Sequence, residues 1–273
     1  MELWVPAGHY YSPIVDADDP ATVRAMEEEA KPAAKLADFG IDEAEVLRWF
    51  EIAASYYPSH PFPEQPSEGA LYHYANPHFP LADAFALLAV MATRRPRRYL
   101  EIGAGYSSCA AIDISRQYLS DAVEFTFIEP YPDLARRLLG GRAGNIRPQR
   151  LQDVPLDVFE RLEANDILFI DSSHVGKTGS DVVDYLFRIL PALRRGVLVH
   201  IHDIFFPFEY PRAWIAEENR SWNEAYLLRA FLHGNPRYRV FYFCDWLYKC
   251  KRDLVERKMP LCVPHRGGSL WLE

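Results

Sequence analysis

The chain is short of positive charge. It carries 30 Lys and Arg against 38 Asp and Glu, a formal net charge of −8. A general nucleic-acid binder presents a basic footprint, so no nucleic-acid partner is expected. Cysteine is scarce too: Cys109, Cys244, Cys250 and Cys262 show no C-x-x-C spacing. That excludes a zinc ribbon or a disulfide scaffold and reads as reduced thiols in a cytoplasmic protein. No run is long and apolar enough to span a bilayer. The longest, Leu81 to Thr93, is interrupted by Asp83 and reads as a buried helix. The opening MELWVPAGHYY has no basic region followed by an apolar stretch, so neither a signal peptide nor a membrane partner is expected. Internal repeats and low-complexity runs are also missing.

What is present is an alternation of strands and helices behind a proline-rich opening. The 273 residues are 49% hydrophobic and suit one large domain with an extension. Prolines recur at 6, 13, 20, 32, 58, 61, 63 and 66. Residues 1–75 are expected to form a helical cap, with helices near 21–36 and 42–56, the second started by Asp42. A loop over 57–68 follows. The cap surface offers a place for a homo-oligomer contact. A helix with Pro80 in its first turn leads into the basic run Arg94, Arg95, Arg97 and Arg98, read as a solvated helix end.

The chain is organised around RYLEIGAGYSSCAAIDI, Arg98 to Ile114. A strand ends in Gly103-Ala104-Gly105, and a helical pattern follows Ser107 and Ser108. Such a turn lets a nucleotide-like ligand approach bare backbone, because a Cβ would block the approach or forbid the backbone angles. An ordinary strand-turn-helix reversal is the alternative. The dinucleotide fingerprint G-x-G-x-x-G is incomplete, since its third glycine is replaced by Ser108. Glu101, two residues before Gly103, would repel a pyrophosphate but suits a ligand with a cationic amino group.

Beyond the turn, strands are expected at 123–128, 145–151, 166–171 and 197–201, with helices at 132–139, 156–162 and 179–193. That alternation argues a parallel sheet with helices on both faces, its strand ends gathered along one edge. Ser221 and Glu224 fit a capping box for a helix ending at Gly234. Residues 238–243 and 268–272 read as a last strand pair.

Several acids and histidines fall at strand ends. Glu129, 24 positions after Gly105, can accept both hydroxyls of a ribose, or be a solvated loop acid. Asp153 follows the third strand and is open to either ligand contact or helix capping. FIDSSH supplies Asp171 and His174, and VHIHDIF supplies His200, His202 and Asp203. Carboxylates and imidazoles at one edge suit a divalent cation, and a histidine there suits a general base. Packing histidines and satisfied strand-end acids are the alternative.

The E-x-G-x-G stretch resembles motif I of the class I S-adenosylmethionine-dependent methyltransferases. FIDSSH and HDIF resemble the small-molecule O-methyltransferases of the catechol and macrocin types, and a largely unassigned bacterial subgroup. The resemblance covers about residues 70 to 273. It implies a Rossmann-like three-layer α/β sheet of seven strands, mostly parallel with the last antiparallel. It implies a methyltransferase domain over 76–273, with S-adenosylmethionine held by Glu101, Gly103, Gly105, Ser107, Glu129, Asp153 and Asp171. Adenine would meet the residue at the Asp153 position. Asp171 and His174 match D-x-x-H, which makes His174 the base and Asp171 its catalytic companion. Asp171, His202 and Asp203 stand where the family holds magnesium. His202 replaces an acid there, which turns the choice of ion toward Mn, Fe or Zn as well as Mg. The implied reaction is methyl transfer to an oxygen of a small-molecule acceptor, under a roof that includes Phe205, Phe206, Phe208, Tyr210 and Trp214. The alternatives are an NAD-dependent oxidoreductase, opposed by Glu101, the missing third glycine and the final strand pair, and a non-catalytic nucleoside-binding protein.

Overall fold

The computed structural model describes residues 4–273, so Met1 to Leu3 of the expected cap lie outside the described residues. Seven strands form one sheet: β1 Arg98–Ile102, β2 Glu124–Ile128, β3 Ile146–Arg147, β4 Ile167–Ile170, β5 Leu198–Ile201, β6 Val240–Phe243 and β7 Leu270–Leu272. The spatial order is β3-β2-β1-β4-β5-β7-β6. β1 to β5 pair in parallel, while β7 runs antiparallel to both β5 and β6. This is the expected Rossmann-like methyltransferase sheet. Strand order reverses beside β1, which pairs with β2 on one side and β4 on the other. Ligands of such sheets bind at that switch point.

The central strands owe their place to two-sided burial. Every residue of β4, Ile-Leu-Phe-Ile, is buried, as is every residue of β5. Such continuous apolar runs suit a parallel strand covered on both faces. The helix Leu81–Arg94 covers one face with ten buried residues, including the carboxylate of Asp83. That carboxylate accepts from the backbone N–H of Gly268 and Ser269 at 3.0 and 2.9 Å and pins the approach to β7.

The N-terminal segment packs into the same core. Asp42 caps the helix Glu43–Tyr56 by accepting from Ala44 N at 2.9 Å. Its Trp49 lies 4.8 Å from the Phe241 ring of β6, and Lys249 pairs with Glu29 of the helix Pro20–Ala30 at 2.5 Å.

Several elements depart from expectation for local reasons. β3 is two residues long because Pro148 has no N–H to donate and Gln149 N turns back to Arg147 O at 2.9 Å. The expected helix over 179–193 contains a π-helical stretch, Tyr185–Ile189. Pro191, just beyond it, cannot make the usual backbone bond to Phe187. The helices Cys244–Cys250 and Arg252–Lys258 fill the connection between β6 and β7. The helix expected from Ser221 runs Glu224–Leu232, and Asn223 stands at its cap position with no side-chain capping bond. The capping box does not form. Ser221 Oγ accepts from Val15 N instead, at 3.1 Å, and Glu224 is turned inward. No helix among the described residues is long and apolar enough to cross a membrane.

Candidate active site

Two clefts adjoin at the carboxyl ends of the parallel strands, of ≈ 490 and ≈ 470 Å³. Gly103, Glu129, Asp171, Ser172 and Ser173 line both. The first continues past Leu151 and Gln152, and the second past His174, Asp203 and Trp222. Volume alone does not single them out. A groove of ≈ 520 Å³ beside Gly196 and Arg239, at the opposite end of the sheet, is as large. The strand-end clefts differ in holding carboxylates and imidazoles close together.

The glycine turn is built from beneath. Glu101 is fully buried and takes hydrogen bonds from the hydroxyls of Ser107 and, at 2.9 Å, Ser108. Burial pushes its carboxyl up to about 8, against the pull of the two serine bonds. Glu101 therefore holds the loop from below and lines neither cleft, contrary to a direct ligand contact. Gly103 has φ +80°, and a Cβ there would sit 2.0 Å from Asp171 O. The glycine is required by the neighbouring strand end and by its backbone angle rather than by ligand space. Around Gly105 an added Cβ meets nothing within 4 Å, so this side of the turn is open to a ligand.

Glu129 lies where the two clefts meet. Its oxygens accept from Ala104 N at 3.2 Å and Tyr131 N at 2.7 Å, which fixes the carboxylate against the glycine turn. Asp153 is not brought to the cleft. It is exposed and paired with Arg150 at 3.0 Å. Its neighbour Gln152 lines the cleft instead, its amide donating to Gly179 O at 2.7 Å.

The second cleft centres on His174, which is buried. Its Nε2 faces Asp171 Oδ1 at 3.4 Å and Asp203 Oδ2 at 3.7 Å, and its Nδ1 bonds to Glu224 Oε2 at 2.7 Å. Glu224 is itself buried, and Oε1 accepts from Ser172 Oγ at 3.0 Å and Tyr185 Oη at 2.7 Å. The lock is reciprocal. His174 O accepts from Asn223 N and Glu224 N at 3.2 Å, capping the start of that helix. These bonds hold His174 at φ +60°, a conformation few non-glycine residues adopt. Trp222 stacks on the imidazole with centroids 4.1 Å apart.

The charges around the imidazole decide its state. Burial favours neutral His174, but the charge of Glu224 and the bonds to Asp171 and Glu224 prevail and raise it well above the ordinary histidine range. Asp171 is held below its usual range: burial works to raise it, and the charges of His202 and His174 overcome that. Asp203 stands raised by burial.

Asp171, His174 and Asp203 each offer a ligand atom within 4.8 Å of the others. The expected metal set of Asp171, His202 and Asp203 is corrected at one position. His202 Nε2 lies 3.6 Å from Asp203 Oδ1, but its Nδ1 points toward buried Asp83 at 3.8 Å and has no hydrogen-bond partner. His202 also lines the cleft, but the atoms that cluster are those of Asp171, His174 and Asp203, so His174 takes its place in the trio. His200 is also core: it stacks on Phe169 at 3.7 Å, and its Nε2 meets Ser269 Oγ at 2.7 Å.

The expected aromatic roof is partly displaced. Phe205, Phe206, Phe208 and Tyr210 are buried in the core, and the cleft is walled by Trp222, Phe79 and Tyr106. Trp214 backs Trp222 at 5.1 Å. Sequence reasoning missed Trp222 and Arg220 and misread Glu224, because S-x-x-E before a helix has the form of a capping box.

A family model described as a methyltransferase domain matches residues 100–204, which hold the glycine turn, Glu129, Asp171, His174 and Asp203. An uncharacterised protein of Archaeoglobus fulgidus is 36% identical over 169 residues, 59% of this chain and 75% of its own. Among solved structures, the S-adenosylhomocysteine-bound methyltransferase PaMTH1 of Podospora anserina is similar at 18% identity and TM-score 0.44, over 94% of this chain and 96% of its own. An O-methyltransferase of Bacillus cereus, in complex with S-adenosylhomocysteine, is similar at 14% identity and TM-score 0.41, over 87% of this chain and 94% of its own.

Proposed function

The chain belongs to the class I S-adenosylmethionine-dependent methyltransferases, and we propose that it methylates an oxygen of a small-molecule acceptor, with His174 taking the hydroxyl proton. S-adenosylmethionine is the methyl donor. In this reading the cofactor follows the two clefts, its ribose at Glu129 and its adenine toward Leu151 and Gln152. Gly103, Gly105 and Ser107 shape the turn above Glu101, and Asp171 closes the site at the end of β4. An acid with two acceptor oxygens at the end of β2 suits both ribose hydroxyls.

The observation that carries the acceptor chemistry is the His174–Glu224 bond at 2.7 Å. A carboxylate on Nδ1 fixes the proton there in the neutral ring and turns the Nε2 lone pair toward the cleft. The positive charge that develops on the ring is then shared with Glu224. In the free protein Glu224 and Asp171 favour the imidazolium, which cannot accept a proton. The sulfonium of the cofactor offsets the acids and frees the base. Methyl transfer to oxygen needs in-line alignment and removal of one proton, and this geometry supplies a group for each.

A second reading rests on the spacing of the acids. Asp171 Oδ1 and Asp203 Oδ2, at 3.4 and 3.7 Å from His174 Nε2, stand beyond good hydrogen-bond distance. Ligands ~2.1 Å from a tetrahedral ion lie about 3.4 Å apart, so the trio fits a divalent cation. Such an ion would acidify the acceptor hydroxyl. Nε2 would then be a ligand and not the base, so the two readings exclude each other at one atom.

The same proposal treats residues 1–75 as a cap over the methyltransferase domain 76–273, with a small-molecule acceptor and neither nucleic acid nor membrane as partner. A homo-oligomer through the cap belongs to it as well. The free thiols Cys109, Cys244, Cys250 and Cys262 support a cytoplasmic location. Calorimetric titration with S-adenosylmethionine, S-adenosylhomocysteine and NAD tests the reading. Tight binding of the first two and none of NAD is expected, and NAD binding alone would overturn it.

A further inference from the structure

Deepening that reading, we infer that the acceptor is an anion, and that Arg220 receives its carboxylate or phosphate group. Among the described residues lining the acceptor-side cleft, Arg220 is the one Arg or Lys. It faces a site otherwise rich in carboxylates.

The guanidinium is held in place. It lies 4.1 Å from the Trp214 ring and 4.7 Å from the Trp222 ring, so it packs against two adjoining indoles. Cation–π contact and a planar fork make such an arginine a preorganised oxyanion receptor. Its backbone is fixed as well, Arg220 N donating to Trp214 O at 2.8 Å.

The pairing of the guanidinium leaves donors free. Nε and Nη2 meet the same oxygen, Glu218 Oε2, at 2.7 and 2.6 Å. Of the five N–H groups of an arginine, both on Nη1 and one on Nη2 are then left over. Nη1 has no partner among the described residues. Those donors form the end-on edge, which binds a carboxylate or phosphate through two parallel bonds.

Trp222 ties this cation to the chemistry. The ring that packs on Arg220 at 4.7 Å also stacks on His174 at 4.1 Å. The cation therefore lies within about 9 Å (4.7 plus 4.1) of the imidazole. An acceptor with its hydroxyl at His174 Nε2 and an oxyanion at Arg220 would span about one aromatic or sugar ring. Phe79 and Tyr106 on the cleft wall offer such a ring apolar faces. Hydroxylated ring acids and monophosphorylated sugars share that pattern.

The test uses full-length protein saturated with S-adenosylhomocysteine and three calorimetric probes: catechol, 3,4-dihydroxybenzoate and glucose 6-phosphate. At least one anionic probe should bind tenfold or more tighter than catechol, and the stronger of the two identifies carboxylate or phosphate as the group received. Arg220→Gln should erase the advantage, Arg220→Lys should keep part of it, and S-adenosylhomocysteine affinity should stay within twofold of wild type. Equal affinities, or no binding of any probe, overturn the inference. So does a tenfold loss of S-adenosylhomocysteine affinity in Arg220→Gln, which would assign the cation to the cofactor's own carboxylate. The wild-type preference needs no variant, so misfolding of a variant leaves the test intact. Failure of wild-type protein to bind S-adenosylhomocysteine would instead sink the methyltransferase reading.

Discussion

Glu224 holds His174 by its Nδ1 edge at 2.7 Å, from a helix 50 residues further along the chain. Glu224→Gln keeps the shape but removes the charge that balances the imidazolium. Turnover should fall, by up to roughly the 10²–10⁴-fold that a positioned base is worth. Cofactor affinity should stay near wild type, because Glu224 lines neither cleft. Glu224→Ala would in addition leave the Ser172 and Tyr185 hydroxyls without their acceptor. Each stranded buried donor costs about 1–3 kcal/mol, so this variant should melt lower than Glu224→Gln. Steady-state kinetics beside thermal unfolding separate the two effects.

The ribose assignment predicts a loss confined to cofactor binding. Glu129→Gln should cost roughly 1.5–3 kcal/mol of S-adenosylmethionine affinity, the range for hydrogen bonds to a charged acceptor. A 2′-deoxy analogue should lose little more on that variant than the parent cofactor does. Independent, additive losses in calorimetry would place the ribose elsewhere.

How much of this was legible in the sequence depends on what each residue answers to. The parallel strands were legible because two-sided burial writes itself as apolar runs, as in Ile167–Ile170. Glu129 and Asp171 were legible because a strand followed by a turn places its last side chain at the edge. The rest depends on contacts that no local pattern encodes. Glu224 looks like a cap until the loop carrying His174 folds against it. His202 looks like a ligand until Asp83, 119 residues earlier, is seen behind it. Glu101 was rightly tied to the glycine turn, but the two serines that turn it inward lie on the following helix.

That burial makes Glu101 a pH-dependent element. Its carboxyl is raised from 4.5 to about 8 by desolvation, against the serine bonds. A raised acid favours the native state fully below its unfolded value, and the benefit is lost as pH rises through the folded one. Wild-type stability should therefore decline between pH 4.5 and about 8 relative to Glu101→Gln, by on the order of 5 kcal/mol. Above about 8 the difference should level off. Denaturant melts of both proteins across this window check the slope, and parallel curves would show that Glu101 stays charged.

The choice between base and ion rests on His174 Nε2, which can serve only one of them. If Nε2 is the base, protein freed of metal by a chelator keeps full turnover. His174→Ala then loses ~10²–10⁴-fold, the usual worth of a positioned base. Asp203→Asn, which removes an acid 3.7 Å from Nε2, should lower turnover and leave cofactor affinity intact. If Nε2 is a ligand, chelation abolishes turnover, and Mn or Zn restores it in wild type but not in Asp171→Asn or Asp203→Asn. Metal analysis of the purified protein completes the comparison. We expect the metal-free enzyme to remain active, because the 2.7 Å bond to Glu224 already sets the tautomer a base needs. Metal-restored activity would transfer the proton-lowering role from the imidazole to the ion.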